Sequence, residues 1–166
     1  LAKVAWDYNL GFGGLMGQGG GQPGGAADAT YIVNYGIDTP LYGTTESERP
    51  MWAWIASSDQ YLSSYHKAMD TLISGYFESG DFDKEIAATY ELIRPYVAKD
   101  PSAFYSVEQF QTGYETLKQF CDLRAKSIRL QLDGKLNAST DYQEPSSKVD
   151  ASSVNIASMG TQGRSM

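Results

Sequence analysis

The sequence has little of what disulfide-stabilised, nucleic-acid-binding and membrane-spanning proteins require. Among 166 residues there is one cysteine, Cys121, which excludes an intrachain disulfide and a zinc site built from cysteines. Lys and Arg number 13 against 20 Asp and Glu, and phosphate binding needs clustered basic residues that this chain lacks. No run approaches the roughly 18 apolar residues that a transmembrane helix needs. We therefore expect no nucleic-acid partner and no transmembrane segment.

The composition is that of a globular domain. Hydrophobic residues make up 42% of the chain and charged residues 20%, and the length suffices for a hydrophobic core. Tyrosine is frequent, at 12 residues, beside 17 glycines, which favours an extracellular bacterial protein. The chain opens on apolar residues 1–6 with no initiator Met and no polar lead-in, and we expect that it begins inside a domain.

The opening residues place one carboxylate, that of Asp7, at the end of a predicted strand. Asp7 stands between the apolar residues 1–6, which predict a short strand, and a glycine-rich turn at residues 11–14. A strand end can hold such a carboxylate rigidly, and a hard cation such as Mg²⁺ prefers carboxylate oxygens. Asn9, two residues on, projects to the same face if the strand continues. It either helps to bind the metal or satisfies the backbone of the turn.

Residues 11–30 form a glycine-rich loop, because the backbone entropy of so many glycines opposes a regular element. A phosphate-binding loop is disfavoured, since the Gly-Lys-Ser/Thr sequence is missing, and a flexible surface insertion is the better interpretation. The β-branched and aromatic residues at 31–35 then predict a short strand that ends at a turn over residues 38–40.

From Glu48 onward the apolar residues recur every three or four positions, which predicts a helical bundle over residues 48–134. Pro50 suits the first turn of one helix, Ser58 can cap the next, and Gly80 ends it. Another helix is predicted over residues 81–96. The longest helix begins after Ser106 and ends at residues 133–134. Its apolar stripe consists of Val107, Phe110, Tyr114, Leu117, Cys121, Ala125, Ile128 and Leu132.

Individual side chains in the bundle mostly favour structural roles. Cys121 lies on the apolar stripe and is predicted to be a buried, inert thiol. The one histidine, His66, lacks a second ligand or nucleophile beside it and is predicted to be structural or solvent-facing. At helical spacing, core packing is preferred over a carbohydrate-binding platform for the aromatic group of Trp52, Trp54, Tyr61 and Tyr65.

The longest helix carries a basic flank near its end, made of Arg124, Lys126 and Arg129. Its position agrees with the helix dipole, which favours cations near a C-terminus. The alternative is that these residues dock against acidic groups of another part of the domain.

Residues 135–166 are rich in Ser, Thr, Asn, Asp and Gln. With few apolar residues, this segment is expected to bury too little surface to offset the entropy of ordering its backbone. We predict a Ser-rich linker or tail.

Four segments resemble, in order and spacing, the C-terminal half of a CotH-type spore-coat kinase domain. The most specific is WDYNLGFGG at residues 6–14, in its Trp-Asp-x-Asn-Leu-x-Phe-Gly form. The other three are helical: RPMW at 49–52, QYLSSY at 60–65 and RAKSIRLQLDG at 124–134. The resemblance covers residues 1–134.

The resemblance implies an α+β, mostly helical fold: the C-terminal part of an atypical protein-kinase-like domain, with short N-terminal strands before the helical bundle. It implies a secreted or surface-attached kinase that uses ATP and Mg²⁺ or Mn²⁺ to phosphorylate Ser or Thr of extracellular proteins. Asp7 matches the metal-binding Asp of the family, and no other residue of this chain is matched to a family role. The predicted cofactor-binding residues are therefore Asp7, from the resemblance, and Asn9, from its position two residues on. The catalytic Asp, the nucleotide-binding Lys and the glycine-rich loop over the phosphates precede this motif, so they are expected upstream of Leu1. The chain would then need the upstream half of the domain as its partner and be inactive alone.

Two other functions stay open at this stage. One is a non-catalytic surface or adhesion module that kept a kinase-like scaffold, and upstream sequence lacking the catalytic Asp and the Lys would favour it. The other is a simple helical interaction domain, which explains residues 48–134 but leaves the opening motif without a purpose.

Overall fold

The computed structural model describes Phe12 and residues 29–160. In this part of the chain the regular structure is helical and includes no β-strand. No helix found there is long and apolar enough to cross a membrane. The helices are α1 (Ala29–Val33), α2 (Pro50–Ala56), α3 (Asp59–Leu72), which continues into a π-helical turn (Ile73–Phe77), α4 (Asp81–Val97) and α5 (Val107–Leu132). Short 3₁₀ turns occupy Glu46–Glu48, Thr140–Tyr142, Pro145–Ser147 and Ile156–Met159.

Local signals in the sequence set where the helices begin. The Ser106 side chain accepts a hydrogen bond from the Gln109 backbone N–H, and the Gln109 side chain accepts one from the Ser106 N–H. This reciprocal capping confirms the predicted start of α5. Pro50 occupies the first position of α2, as predicted. Gly80 precedes α4 with a φ of 78°, a left-handed conformation that glycine adopts without strain.

Helix α5 runs through the middle of the described structure and contributes to both apolar clusters. Phe120 and Cys121 belong to the larger cluster, and Ala125 and Ile128 belong to the smaller one. The larger cluster also contains residues of α1, Phe82 of α4 and four residues from the C-terminal segment, residues 136–160. The prediction that Cys121 is a core residue is confirmed, since its exposed fraction is 4%.

The strand predicted at residues 31–35 is wrong, because residues 29–33 form helix α1. Ala29, Ile32 and Val33 are buried and share one helical face, which packs in the larger apolar cluster. Packing of three residues spaced by three and four positions outweighs the weak strand propensity of Tyr, Ile and Val. The strand predicted at residues 1–6 lies outside the described residues, as does almost all of the glycine-rich loop.

The prediction that little beyond residue 135 can be buried is also wrong. The segment 136–160 packs against α1 and α5 with only short 3₁₀ turns as regular structure. Its polar side chains hydrogen-bond to the backbone, so the chain can be buried there without an α-helix or a strand. Gln143, for example, donates to the carbonyls of Asn34 and Asn137. The buried apolar residues of this segment are Leu136, Val149, Ala151, Val154 and Ile156.

The aromatic group on α2 and α3 divides into two pairs. Trp52 and Tyr65 are half-buried and meet edge to face, with ring centroids 5.5 Å apart. Trp54 and Tyr61 are also in contact, at 4.5 Å. Their exposed fractions are 58% and 40%, so the prediction of core packing is wrong for this second pair.

Candidate functional site

The predicted metal and cofactor ligands, Asp7 and Asn9, lie outside the described residues. The metal-binding role of Asp7 therefore stays a prediction. Among the residues that the structure does describe, no group of three or more His, Cys, Asp or Glu side chains is arranged to hold a metal ion. The described part of the chain thus contributes no alternative metal site.

The most elaborate polar arrangement surrounds the turn that follows α1, and we call residues 34–39 the α1 turn. Its first residue, Asn34, is 1% exposed. Its side-chain amide donates to the carbonyls of Thr30 at 2.7 Å and Val149 at 2.8 Å. Its Oδ1 accepts from Val149 N at 2.9 Å and from Ser127 Oγ at 3.1 Å. All the hydrogen-bonding capacity of this buried amide is used, so its orientation is fixed.

Two long side chains of α5 hold the backbone of the α1 turn. Arg124 donates from Nη1 to the carbonyl oxygens of Val33 at 2.8 Å and Tyr35 at 2.6 Å. Gln131 accepts from Ile37 N at 2.9 Å through Oε1. Burial lowers the pKa of Arg124 to about 10, which still leaves it a cation at neutral pH. Arg124 therefore satisfies carbonyls at the end of α1 that have no helical partner.

Close backbone contact joins the α1 turn to the segment after α5. Gly36 N donates to Thr140 Oγ1 at 2.9 Å, and Asp38 N donates to the Ala138 carbonyl at 2.9 Å. A Cβ atom on Gly36 would lie 2.6 Å from Thr140 N and would also clash with the Ala138 carbonyl oxygen. Only glycine fits at this position.

On its outer side, the α1 turn contacts α3. His66 Nε2 lies 2.6 Å from Asp38 Oδ1, and Tyr65 donates its hydroxyl to the Ile37 carbonyl at 3.0 Å. Burial and the nearby Asp38 charge raise the pKa of Tyr65. His66, which was predicted to be structural or solvent-facing, joins α3 to the α1 turn through this contact with Asp38.

The basic flank of α5 separates into three environments. Arg129 forms ion pairs with Glu78 at 2.8 Å and Asp70 at 2.7 Å. These acids, Glu78 first, raise its pKa. Lys126 is exposed, and Arg124 is turned inward onto the carbonyls described above. The helix dipole does not explain these positions alone, because each arginine has specific partners.

A large apolar cavity of about 1040 Å³ opens between α4, the first half of α5 and residues 155–160. Tyr90 stacks on both Phe110 and Tyr114 in its wall, with centroid distances of 5.3 Å and 4.2 Å. Phe12, five residues after Asp7, also lines the cavity. Phe12 is therefore the residue of the opening motif that the structure places beside the helices.

Several buried polar residues that organise the α1 turn are not predictable as such from the sequence. Ser127 and Gln131 lie in the RAKSIRLQLDG segment at residues 124–134 and Asn34 lies in no motif, but in none of the three does the sequence reveal that the side chain is buried. The glycine after Asn-Tyr at residues 34–36 is a signal for the turn itself, because it indicates a turn or a close approach.

Residues 1–128 match the family model described as CotH kinase protein. The match includes the opening motif, the α1 turn and most of α5. No curated protein and no solved structure matches the chain significantly.

Proposed function

Because the chain belongs to the CotH kinase family, we propose that it is the metal-binding and helical part of an atypical protein kinase. In this proposal the complete domain has a kinase-like fold and transfers the ATP γ-phosphate to Ser or Thr of extracellular proteins. The protein is secreted or attached to the cell surface of a bacterium. The match over residues 1–128, which includes the WDYNLGFGG motif at residues 6–14, is the observation that carries the proposal.

Asp7 has the role of binding a divalent cation. When bound, Mg²⁺ or Mn²⁺ would neutralise the negative charge that develops on the phosphates during phosphoryl transfer. The carboxylate of Asp7 would hold that cation, with Asn9 beside it.

The helical part would act as the support for the opening motif. Phe12 follows Asp7 by five residues and lies against the cavity wall formed by α4 and α5. Helix α5 also fixes the α1 turn through Arg124 and Gln131. A rigid scaffold matters for this chemistry because catalysis of phosphoryl transfer rests on positioning and electrostatics.

The other parts of the active site belong to the upstream half of the domain. In the family, the catalytic Asp and the nucleotide-binding Lys precede the WDYNLGFGG motif. We therefore expect the 166-residue chain alone to transfer no phosphate and a longer protein containing both halves to do so.

A transfer assay on that longer protein tests the proposal. With radiolabelled ATP, Mg²⁺ or Mn²⁺ and a Ser/Thr-containing protein, we expect label on Ser or Thr. The Asp7→Ala variant should lose at least a hundredfold in rate while keeping its circular dichroism spectrum, and Asp59→Ala, which removes an exposed acid at the start of α3, should keep full activity. Full activity in Asp7→Ala would remove Asp7 from the mechanism.

A non-catalytic surface or adhesion module on the same scaffold is the second candidate. The exposed Trp54 and Tyr61 pair is the observation that favours it, because exposed aromatic residues are common at binding surfaces. Thermal unfolding with ATP and Mg²⁺ separates the two. A ligand at a hundred times its dissociation constant stabilises by about 2.7 kcal/mol, and a longer protein that shows no shift would favour the binding module.

A further inference from the structure

Arg124 uses only part of its hydrogen-bonding capacity. A guanidinium has five N–H donors, and both contacts of Arg124 come from a single nitrogen, Nη1, to the carbonyls of Val33 and Tyr35. Within residues 29–160, Nε and Nη2 donate to nothing. Neither nitrogen is sealed away from solvent without a partner. One edge of the guanidinium is therefore open to a ligand.

The positive charge of Arg124 also lacks a counterion in the described part of the chain. No carboxylate there lies within ion-pair distance of it, whereas Arg129, five residues later, contacts both Glu78 and Asp70. The two carbonyls that Arg124 binds are dipoles and carry no net charge. A half-buried cation without an anion is incompletely compensated, so an anion at the open edge would be stabilising.

We propose that the Nε and Nη2 edge of Arg124 is a binding site for a carboxylate or phosphate group. These two nitrogens present parallel N–H groups, the arrangement that binds two oxygens of one oxyanion at once. The carbonyl contacts made by Nη1 hold the guanidinium in place, so the edge is preorganised. Tyr65, whose hydroxyl donates to the Ile37 carbonyl, lies nearby: burial and the Asp38 charge raise its pKa, and the Arg124 charge opposes part of that rise.

The oxyanion has two sources of the same chemistry. One is the carboxylate of a bound small molecule, and the other is the phosphate group of a bound small molecule. The site itself rests on contacts of Arg124 with α1 and not on kinase activity, so it can be tested separately from the proposed function.

The side-chain Nε–H signal of Arg124 in a two-dimensional ¹H–¹⁵N spectrum tests the site directly. The 166-residue chain is titrated with sodium acetate, with inorganic phosphate and with sodium chloride at matched ionic strength. Arg124→Lys assigns the signal and removes the two-oxygen edge while keeping the charge. The Nε–H signal of Arg129, which already faces Glu78, serves as the internal control.

We expect the Arg124 signal to shift downfield and saturate with acetate, phosphate or both, while the Arg129 signal stays in place and chloride has little effect. Saturation with acetate alone assigns the site to a carboxylate, and tighter saturation with phosphate assigns it to a phosphate group. The same oxyanion should raise the melting temperature of the wild type and of Lys126→Gln but not of Arg124→Lys. If neither oxyanion moves the Arg124 signal more than chloride does, the proposal is overturned.

Discussion

Asn34 and Val149 are 115 positions apart in the chain, yet a single side chain joins them as a backbone pair would. The Asn34 amide donates to the Val149 carbonyl at 2.8 Å and accepts from the Val149 N–H at 2.9 Å. This pairing fastens the C-terminal segment to the end of α1. The pairing explains how the polar segment 136–160, which has only short 3₁₀ turns as regular structure, can be part of the core.

Replacing Asn34 with Asp should break this connection at constant size. The new carboxylate oxygen would face the carbonyls of Thr30 and Val149, which now accept from the amide. Unsatisfied buried groups cost about 1–3 kcal/mol each, so we expect Asn34→Asp to lower the free energy of unfolding by about 3 kcal/mol in a urea titration.

Asn137→Asp is the matched control for that substitution. Asn137 is exposed, and its Oδ1 accepts from Ser139 N, a role that a carboxylate also performs. The control should stay within about 0.5 kcal/mol of the wild type. Equal stability of the two variants would show that Asn34 does not connect α1 to the C-terminal segment.

Gly36→Ala tests the close contact between the α1 turn and residues 138–140. The added methyl group would overlap the Ala138 carbonyl and lie 2.6 Å from Thr140 N, so the backbone must separate. We expect a loss of about 2 kcal/mol in the free energy of unfolding, by analogy with overpacked cores. Gly75→Ala, where nothing lies within 4 Å of the new Cβ, should be neutral or slightly stabilising. A tolerated Gly36→Ala would contradict the described contact.

The thiol of Cys121 should be protected in the folded state. It is 4% exposed, and burial raises its pKa to about 12, whereas the thiolate is the reactive form. With a disulfide reagent at pH 8, we expect the thiol of the folded chain in buffer to be labelled about a hundred times more slowly than that of the chain unfolded in about 6 M urea. Rapid labelling of the folded chain would mean that α5 does not bury this residue.

The same thiol should make stability depend on alkaline pH. Its pKa rises from 9.0 to about 12 on folding, so the folded state retains a proton that the unfolded state loses, and the contribution to stability falls as pH rises above 9. Between pH 8 and pH 10 the wild type should lose about 1 kcal/mol more than Cys121→Ala, measured by urea unfolding. Parallel losses in the two proteins would contradict the raised pKa.

Features encoded by neighbouring residues were predictable, and those that depend on distant contacts were not. Ser106 and Gln109 cap α5 through bonds three positions apart, and Pro50 starts α2 by its own geometry. The sequence predicts a strand where helix α1 forms, because five residues carry little periodicity. Packing then decides between a strand and a helix.

The same distinction between local and distant contacts applies to the residues of the candidate site. The opening motif indicates a role for Asp7 through resemblance, whereas nothing near Asn34 indicates its bonds to Ser127 and Val149. Arg124 was recognised as part of a basic flank, but its inward direction follows from the position of α1 against α5. A contact across about 90 residues cannot be read from local spacing.

Electron paramagnetic resonance of Mn²⁺ tests directly whether Asp7 binds a cation that is shared with a nucleotide. The longer protein, with both halves of the domain, is mixed with Mn²⁺ and a non-hydrolysable ATP analogue, and the free Mn²⁺ signal is compared between wild type and Asp7→Asn. We expect the wild type to remove more free Mn²⁺ than the nucleotide alone does, and Asp7→Asn to abolish this excess. Undiminished Mn²⁺ binding by Asp7→Asn would contradict that role of Asp7.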